Sequence, residues 1–277
     1  MIPINLVFAA DIEYSDHLLV CLTSIFINSK KSKFHIYILT DSPNSEYKDL
    51  FTNSVKKYGH QLTIIKVSNS DYANLKITHH VSLATYFRLS LSLLLPSSID
   101  KIIYLDCDLI VLGDINELWN ENLSTFPIAG VINACTNEHK ASIGFNNTDS
   151  YFNGGVLLVN LKEWRINNYS DKLLKFATNN EALLTYWDQD VLNVIFKSNW
   201  KMLDPKWNVF DTSMENLEGA QIVHYVGAHK PWNYYCTHPK KNVYHQYREL
   251  AFLNPIKFEQ NKIVFKVKNF IKKLIGV

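Results

Sequence analysis

The chain has 277 residues, of which 47% are hydrophobic and 13% aromatic. That is enough to bury one large α/β core, and it excludes wholesale disorder. The formal net charge is only +2, which argues against a nucleic-acid binder working through bulk charge. The basic excess sits at the end, six Lys against one Glu between Lys257 and Val277, and leaves the body slightly acidic. There is no run of about twenty apolar residues, so no transmembrane helix is predicted. The first apolar run stops at Asp11, too short for a signal peptide. Cys21, Cys107, Cys135 and Cys236 form no CxxC pair, which predicts reduced thiols and a cytoplasmic protein.

In chain order, Ile4–Ala10 is predicted as a buried strand and His17–Asn28 as a helix, with Leu18, Cys21, Leu22 and Ile25 on one face. Phe34–Leu39 is a second strand, Ser45–Tyr58 a helix stopped by Gly59, and Leu62–Val67 a third strand. Ala84–Leu95 is a helix ended by Pro96, and Lys101–Leu105 a fourth strand. This alternation predicts an α/β fold with a mixed, mostly parallel sheet covered by helices on both faces. Ile128–Ile132, Val156–Asn160 and Ala220–Val223 are further strands; Ser170–Thr178 and Gln189–Lys197 are further helices. Pro255 separates a catalytic domain, 1–255, from a basic amphipathic tail, 256–277. In the tail Ile263, Val267, Phe270, Ile271 and Leu274 share one helical face. A helix of that kind can lie on an anionic membrane surface, which would place the protein peripherally on the inner face of the cytoplasmic membrane. Packing of the same face on the body is the alternative.

The chemistry begins at Asp106-Cys107-Asp108. Two carboxylates spaced i, i+2 directly follow an apolar strand, and in α/β sheets ligands gather at the carboxyl ends of strands. Two hard oxygen donors suit Mn²⁺ or Mg²⁺; an ordinary strand-end turn is the alternative. DxD also opens the haloacid-dehalogenase phosphatases, but Ile110 stands where those carry Thr or Val, and their motif usually follows the first strand. A second cluster is His224-Tyr-Val-Gly227-Ala-His-Lys230-Pro-Trp232. Imidazole can supply a third metal ligand, Gly227 lets backbone amides approach a phosphate, and Lys230 offers a point charge to a diphosphate.

Several blocks, in order from Asn5 to Trp232, resemble glycosyltransferase family 8, the retaining enzymes of GT-A fold that include bacterial lipopolysaccharide α-galactosyl- and α-glucosyltransferases and the glycogenins. The first is Phe-Ala9-Ala10-Asp11-Ile-Glu13-Tyr14. By resemblance it cradles uridine, with Asp11 accepting the uracil N–H and Tyr14 stacking on the base. The second, His80-Val-Ser-Leu-Ala-Thr85-Tyr86-Phe-Arg88, is similar to the segment whose Arg reaches the donor sugar and phosphate. The third is Asp106-Cys107-Asp108. The fourth, Tyr151-Phe-Asn153-Gly154-Gly155, implies that Asn153 holds a sugar hydroxyl. The fifth, Trp187-Asp188-Gln189-Asp190, implies that Asp188 binds donor hydroxyls and Gln189 lies near the anomeric carbon, with Asp190 the other nearby carboxylate. The sixth makes His224 the third metal ligand beside Asp106 and Asp108. The resemblance therefore implies a metal-dependent retaining hexosyltransferase. It would carry galactose or glucose from a UDP-sugar to a saccharide acceptor, with front-side attack preferred over a covalent intermediate. Glu13, Asn133 and Trp187 depart from close bacterial relatives, and Asn133 falls near the acceptor position. A glycogenin-like self-glycosylating primer, a silent UDP-sugar binding protein and the phosphatase are the alternatives.

Overall fold

The structure is a computed structural model that describes residues 2–72, 75, 82–210, 212 and 217–253. The tail and His80 lie outside the described residues. Nine strands are described: β1 Ile4–Ala9, β2 Phe34–Thr40, β3 Gln61–Lys66, β4 Lys101–Leu105, β5 Leu109–Val111, β6 Ile128–Ile132, β7 Phe152–Asn160, β8 Lys201–Met202 and β9 Ile222–His224. Seven of them form one sheet in the order β3-β2-β1-β4-β7-β6-β8. The first four are parallel to one another. β7 runs antiparallel to both β4 and β6, and β8 is parallel to β6. The expected mixed, mostly parallel sheet is what the chain forms.

Period-two alternation divides the core between the two faces of this sheet. Leu6, Phe8, Ile103, Leu105, Val156 and Leu158 face α1 (Ser15–Asn28) and α2 (Ser45–Lys57), meeting Leu18, Leu22, Phe51 and Val55. Their strand neighbours Val7, Ile102, Tyr104, Leu157 and Val159 face the other way, onto Phe87, Trp164, Leu173, Leu192 and Phe196. Asn44 caps α2 by accepting the Tyr47 N–H at 2.8 Å, the role its short polar side chain favours.

Several boundaries differ from the sequence expectations. Leu83–Ser90 is a 3-10 helix that passes into one α-turn, α3 (Leu91–Leu94), rather than a single α-helix. β7 begins at Phe152, four residues earlier than predicted, so Asn153-Gly154-Gly155 belongs to the strand. The short helices α4 (Ile115–Trp119), α5 (Asn137–Ser142) and α6 (Leu161–Ile166) were not predicted. α7 (Tyr169–Asn179) and α8 (Trp187–Phe196) match predicted helices, and α9 (Lys241–Leu250) closes the described chain.

β5 leaves the main sheet and pairs antiparallel with β9, Leu109 opposite His224. A buried hydroxyl binds it to α1, Ser24 Oγ accepting the Val111 N–H, and Ser29 Oγ just past α1 accepts the Ile115 N–H at the start of α4, each at 3.0 Å. This small sheet brings the DxD segment to His224. Among the described residues, no helix is long and apolar enough to cross a membrane.

Candidate active site

β4 delivers Asp106 and β5 follows directly from Asp108, so the three residues Asp106-Cys107-Asp108 bridge the large sheet to the small one. Both ends of this bridge are clamped by backbone. The Asp106 N–H donates to Gly155 O at 2.9 Å, and the Tyr225 N–H donates to Asp108 O at 3.0 Å. Because Leu109 pairs with His224, the imidazole falls beside both acids. His224 Nε2 lies 3.2 Å from Asp108 Oδ1 and 3.9 Å from Asp106 Oδ2. One ligand atom from each of the three lies within 4.8 Å of the others, and no other such group occurs among the described residues.

The tautomer of His224 follows from its neighbours. Asn153 Oδ1 accepts the Gly155 N–H at 2.9 Å, so the atom facing Asn208 is an acceptor, and Asn208 Nδ2 donates to it at 2.9 Å. Asn208 Oδ1 therefore points the other way, 2.9 Å from His224 Nδ1, and accepts its proton. Nε2 is left as a lone pair toward the acids. A fixed Nδ1–H partner of this kind is what orients a metal-ligating histidine. Gly155 supplies the room: a Cβ there would lie 2.2 Å from His224 Cε1 and 2.9 Å from Asp106 Oδ2. Two carboxylates, one oriented imidazole and a glycine at their back fit a divalent cation.

Lys230 Nζ donates to Asp108 Oδ2 and, at 2.6 Å, to Tyr225 O. Burial pushes the Asp108 carboxyl up, but the Lys230 ammonium beside it pulls the other way, and the group sits well below the ordinary range. Gly227 has φ +79°, a left-handed turn that glycine adopts without strain, and a Cβ there would meet nothing within 4 Å.

On the other side of Asp106 lies Arg88, 6% exposed. Its Nη2 is 2.8 Å from Asp106 Oδ1 and its Nε 2.8 Å from Asp188 Oδ2, while Nη1 donates to Gly154 O at 2.6 Å. Thr85 Oγ1 donates to Asp188 Oδ1 at 2.9 Å. The Arg88–Asp188 contact is off the N–H direction, so Asp188 Oδ2 is buried with an ionic neighbour but no hydrogen bond. Burial pushes Asp188 up to about 6, against the pull of Arg88.

Gln189 stands between the two halves. Its Oε1 accepts the Gly154 N–H at 2.9 Å and its Nε2 donates to Tyr151 OH at 3.1 Å. Asp190, expected as a catalytic carboxylate, has no exposure at all. Its oxygens accept from Tyr151 OH, His139 Nε2, Thr185 N and Tyr186 N, all between 2.7 and 2.8 Å. The carboxylate is thus enclosed, with both oxygens engaged by donors from other parts of the chain.

The residues expected to meet the nucleotide gather at the end of β1. Cys107 Sγ donates to Ala9 O at 3.4 Å. Asp11 Oδ1 caps the 3-10 turn Ile12–Tyr14 by accepting the Tyr14 N–H at 3.1 Å. The Tyr14 ring meets Trp232 edge-on at 6.0 Å, and Trp232 stacks on His17 at 3.5 Å. The described residues of all six sequence blocks thus converge on one face. Asn208, Gly155 as a metal-site spacer, Tyr151 and His139 were not singled out in sequence for these contacts. The Gly-Gly pair would have signalled a close backbone approach had the strand been read as starting at Phe152, whereas nothing local marked Asn208 or His139.

Residues 5–236 match the family model for Glycosyl transferase family 8. A putative glycosyltransferase of Haemophilus influenzae is 31% identical over 248 residues, covering 84% of this chain and 74% of the relative. A lipopolysaccharide 1,2-glucosyltransferase of Escherichia coli is 28% identical over 261 residues, 87% of this chain and 76% of its own length. The fold matches the crystal structure of galactosyltransferase LgtC in complex with donor and acceptor sugar analogues, with a TM-score of 0.82, 24% identity, and coverage of 93% of this chain and 100% of that one. With the match spanning most of the chain and both halves of the site, the chain belongs to glycosyl transferase family 8 and is a glycosyltransferase of GT-A fold.

Proposed function

We propose that the protein transfers glucose or galactose from a UDP-sugar to a hydroxyl of a saccharide acceptor with retention of configuration. The observation that carries this is the Asp106/Asp108/His224 cluster, joined through Asp106 to the Arg88–Asp188 pair and flanked by Gln189. The activities of similar proteins, a glucosyltransferase and a galactosyltransferase, support a hexose. A lipopolysaccharide or other cell-surface glycan is the acceptor class those relatives suggest.

The mixed O, O, N donor set favours Mn²⁺ over Mg²⁺, which prefers oxygen alone. Such a cation would supply Lewis-acid stabilisation to the departing diphosphate. Lys230 adds positive charge beside the same group. Arg88 and Asp188 hold donor hydroxyls: Asp188 Oδ2, buried and without a hydrogen bond, is an acceptor in need of a donor. Asn153, its oxygen occupied by Gly155 and Asn208, has its amide nitrogen left to offer. Asp11 and Tyr14 read the base, with Ala9, Cys107, Thr85, His80, Gly154 and Gly227 framing the donor.

The acceptor oxygen attacks from the face that the diphosphate leaves, and the leaving phosphate oxygen takes its proton. The enclosure of Asp190 supports this route, because a double displacement needs a free carboxylate. Residues 1–255 carry the chemistry. The basic segment 256–277 attaches the protein to an anionic membrane surface, a reading supported by its six lysines.

The test is a panel of UDP-sugars with Mn²⁺, read by UDP release and by the anomeric coupling of the product. One UDP-hexose should be turned over, with the α configuration conserved. Absence of turnover across the panel, or an inverted product, refutes the proposal.

A further inference from the structure

We propose that Tyr151, Asp190 and His139 form a positioning relay that fixes the Gln189 carboxamide and ties it to the connection between β6 and β7. The inference rests on the reading that Gln189 lies at the reacting centre.

The orientation is decided by which atoms can donate. Asp190 is an acceptor, so the single phenolic proton of Tyr151 goes to its Oδ1 at 2.7 Å. The Tyr151 oxygen can then only accept, and it does so from Gln189 Nε2 at 3.1 Å. The Gly154 N–H can only donate, and it meets Gln189 Oε1 at 2.9 Å. The carboxamide is thus specified at both ends and cannot flip without breaking two bonds. Burial, with the adjacent Asp190 carboxylate, pushes the Tyr151 phenol well above its ordinary range, so the proton stays on the oxygen.

Asp190 links this amide to two other pieces of chain. Its Oδ2 accepts the Thr185 and Tyr186 N–H groups, holding the turn whose next residue, Trp187, has φ +45°. A bulky residue in the left-handed region persists only where its surroundings impose it. Its Oδ1 also takes His139 Nε2 at 2.8 Å. His139 sits on α5 in the β6–β7 connection, where Thr136 caps the helix through the His139 N–H. The imidazole lies edge-on to Tyr151 at 5.7 Å and Tyr186 at 4.7 Å. A Phe at 151 would keep the packing, and the hydroxyl is what joins Gln189 to Asp190. None of the three touches the sugar in this assignment; they act through Gln189.

The experiment compares Tyr151→Phe, His139→Ala, His139→Gln and Gln189→Ala in the full chain, with Mn²⁺ and the UDP-hexose that it turns over. It reads kcat, donor KM and the side-chain amide NMR signal of Gln189. Tyr151→Phe should lower kcat by about tenfold to a hundredfold, the cost of a small misplacement at the reacting centre, with donor KM within about twofold and the Gln189 signal shifted. His139→Ala should lower kcat in the same direction, and His139→Gln should restore most of it because the glutamine amide can donate where Nε2 did. Wild-type kcat with an unmoved Gln189 signal in Tyr151→Phe overturns the relay, as does an equal loss in both His139 variants. Wild-type turnover by Gln189→Ala instead removes the underlying reading of Gln189, and the relay with it.

Discussion

A single methyl group at Gly155 tests whether the three-ligand cluster is built as described. In Gly155→Ala the new Cβ would lie 2.2 Å from His224 Cε1, and 2.9 Å from both His224 Nδ1 and Asp106 Oδ2. Carbon atoms rest about 3.5 Å apart, so the imidazole has to retreat by roughly 1.3 Å or β7 has to move. The ring is 4% exposed and held by Asn208, and β7 is hydrogen-bonded on both sides by β4 and β6. Neither adjustment is free. Overpacking of this kind costs about 1–3 kcal/mol, a fall in Tm on the order of 2–10 °C for a chain of this size. The functional loss should be larger in proportion, because displacing one ligand and crowding another costs about a hundredfold in turnover. Gly219→Ala is the control: a Cβ there meets nothing within 4 Å, and its φ is not positive. Mn²⁺ titration by electron paramagnetic resonance, UDP-sugar turnover and thermal melting should separate the two variants. If Gly155→Ala binds Mn²⁺ and turns over donor within threefold of wild type, the close approach of His224 and Asp106 over Gly155 is wrong.

Asn208→Ala removes the acceptor for His224 Nδ1–H and should weaken Mn²⁺ binding by about tenfold to a hundredfold; unchanged affinity by the same titration refutes the tautomer argument. Asp188 gives a pH signature in the metal-free protein. Its folded value, about 6, lies above the ordinary carboxylate value, so the unfolded chain releases this proton first as pH rises. Its contribution to stability is present below about pH 4 and lost between about pH 4 and 6, by roughly 3 kcal/mol at about 1.4 kcal/mol per pH unit. Denaturant unfolding in EDTA should show wild type losing stability relative to Asp188→Asn across that window; a flat difference counts against it. UDP with Mn²⁺ should stabilise the fold by about 2.7 kcal/mol at a hundred times its dissociation constant. GDP should do less, since Asp11 is assigned to uracil, and equal thermal shifts would remove that assignment.

The strands with clean alternation were legible because the two faces of a buried sheet leave a period-two record. Leu6, Phe8 and Val7 show it, and the structure places them on opposite faces. The elements that escaped were short or polar. α5, Asn137–Ser142, has no buried residue and thus no apolar stripe to betray it. Leu83–Ser90 carries apolar residues at helix-like spacing, yet the chain winds more tightly there, with Arg88 turned onto Asp106, Asp188 and Gly154. Asn153-Gly154-Gly155 has the composition of a turn. It runs as strand because β7 is paired on both sides and the glycines make room for Arg88, His224 and Asp106.

The sequence by itself determined the α/β class, the succession of the main strands along the chain and the identity of the chemical blocks, because hydrophobic period and residue type are local properties. It also marked Asp106, Asp108 and His224, since two carboxylates after an apolar strand and an imidazole in a second cluster are the residue types that hold a divalent cation. Tertiary structure alone decided which residues do the orienting. Asn208 and His224 are sixteen residues apart, and His139 and Asp190 fifty-one. Their hydrogen bonds exist only because the Val209–Val223 bridge and the β6–β7 connection fold them together. It also decided that Asp190, expected as a catalytic group, is enclosed and hydrogen-bonded on both oxygens. Whether a carboxylate faces substrate or backbone depends on the donors packed around it, and those come from His139, Tyr151 and the 185–186 turn.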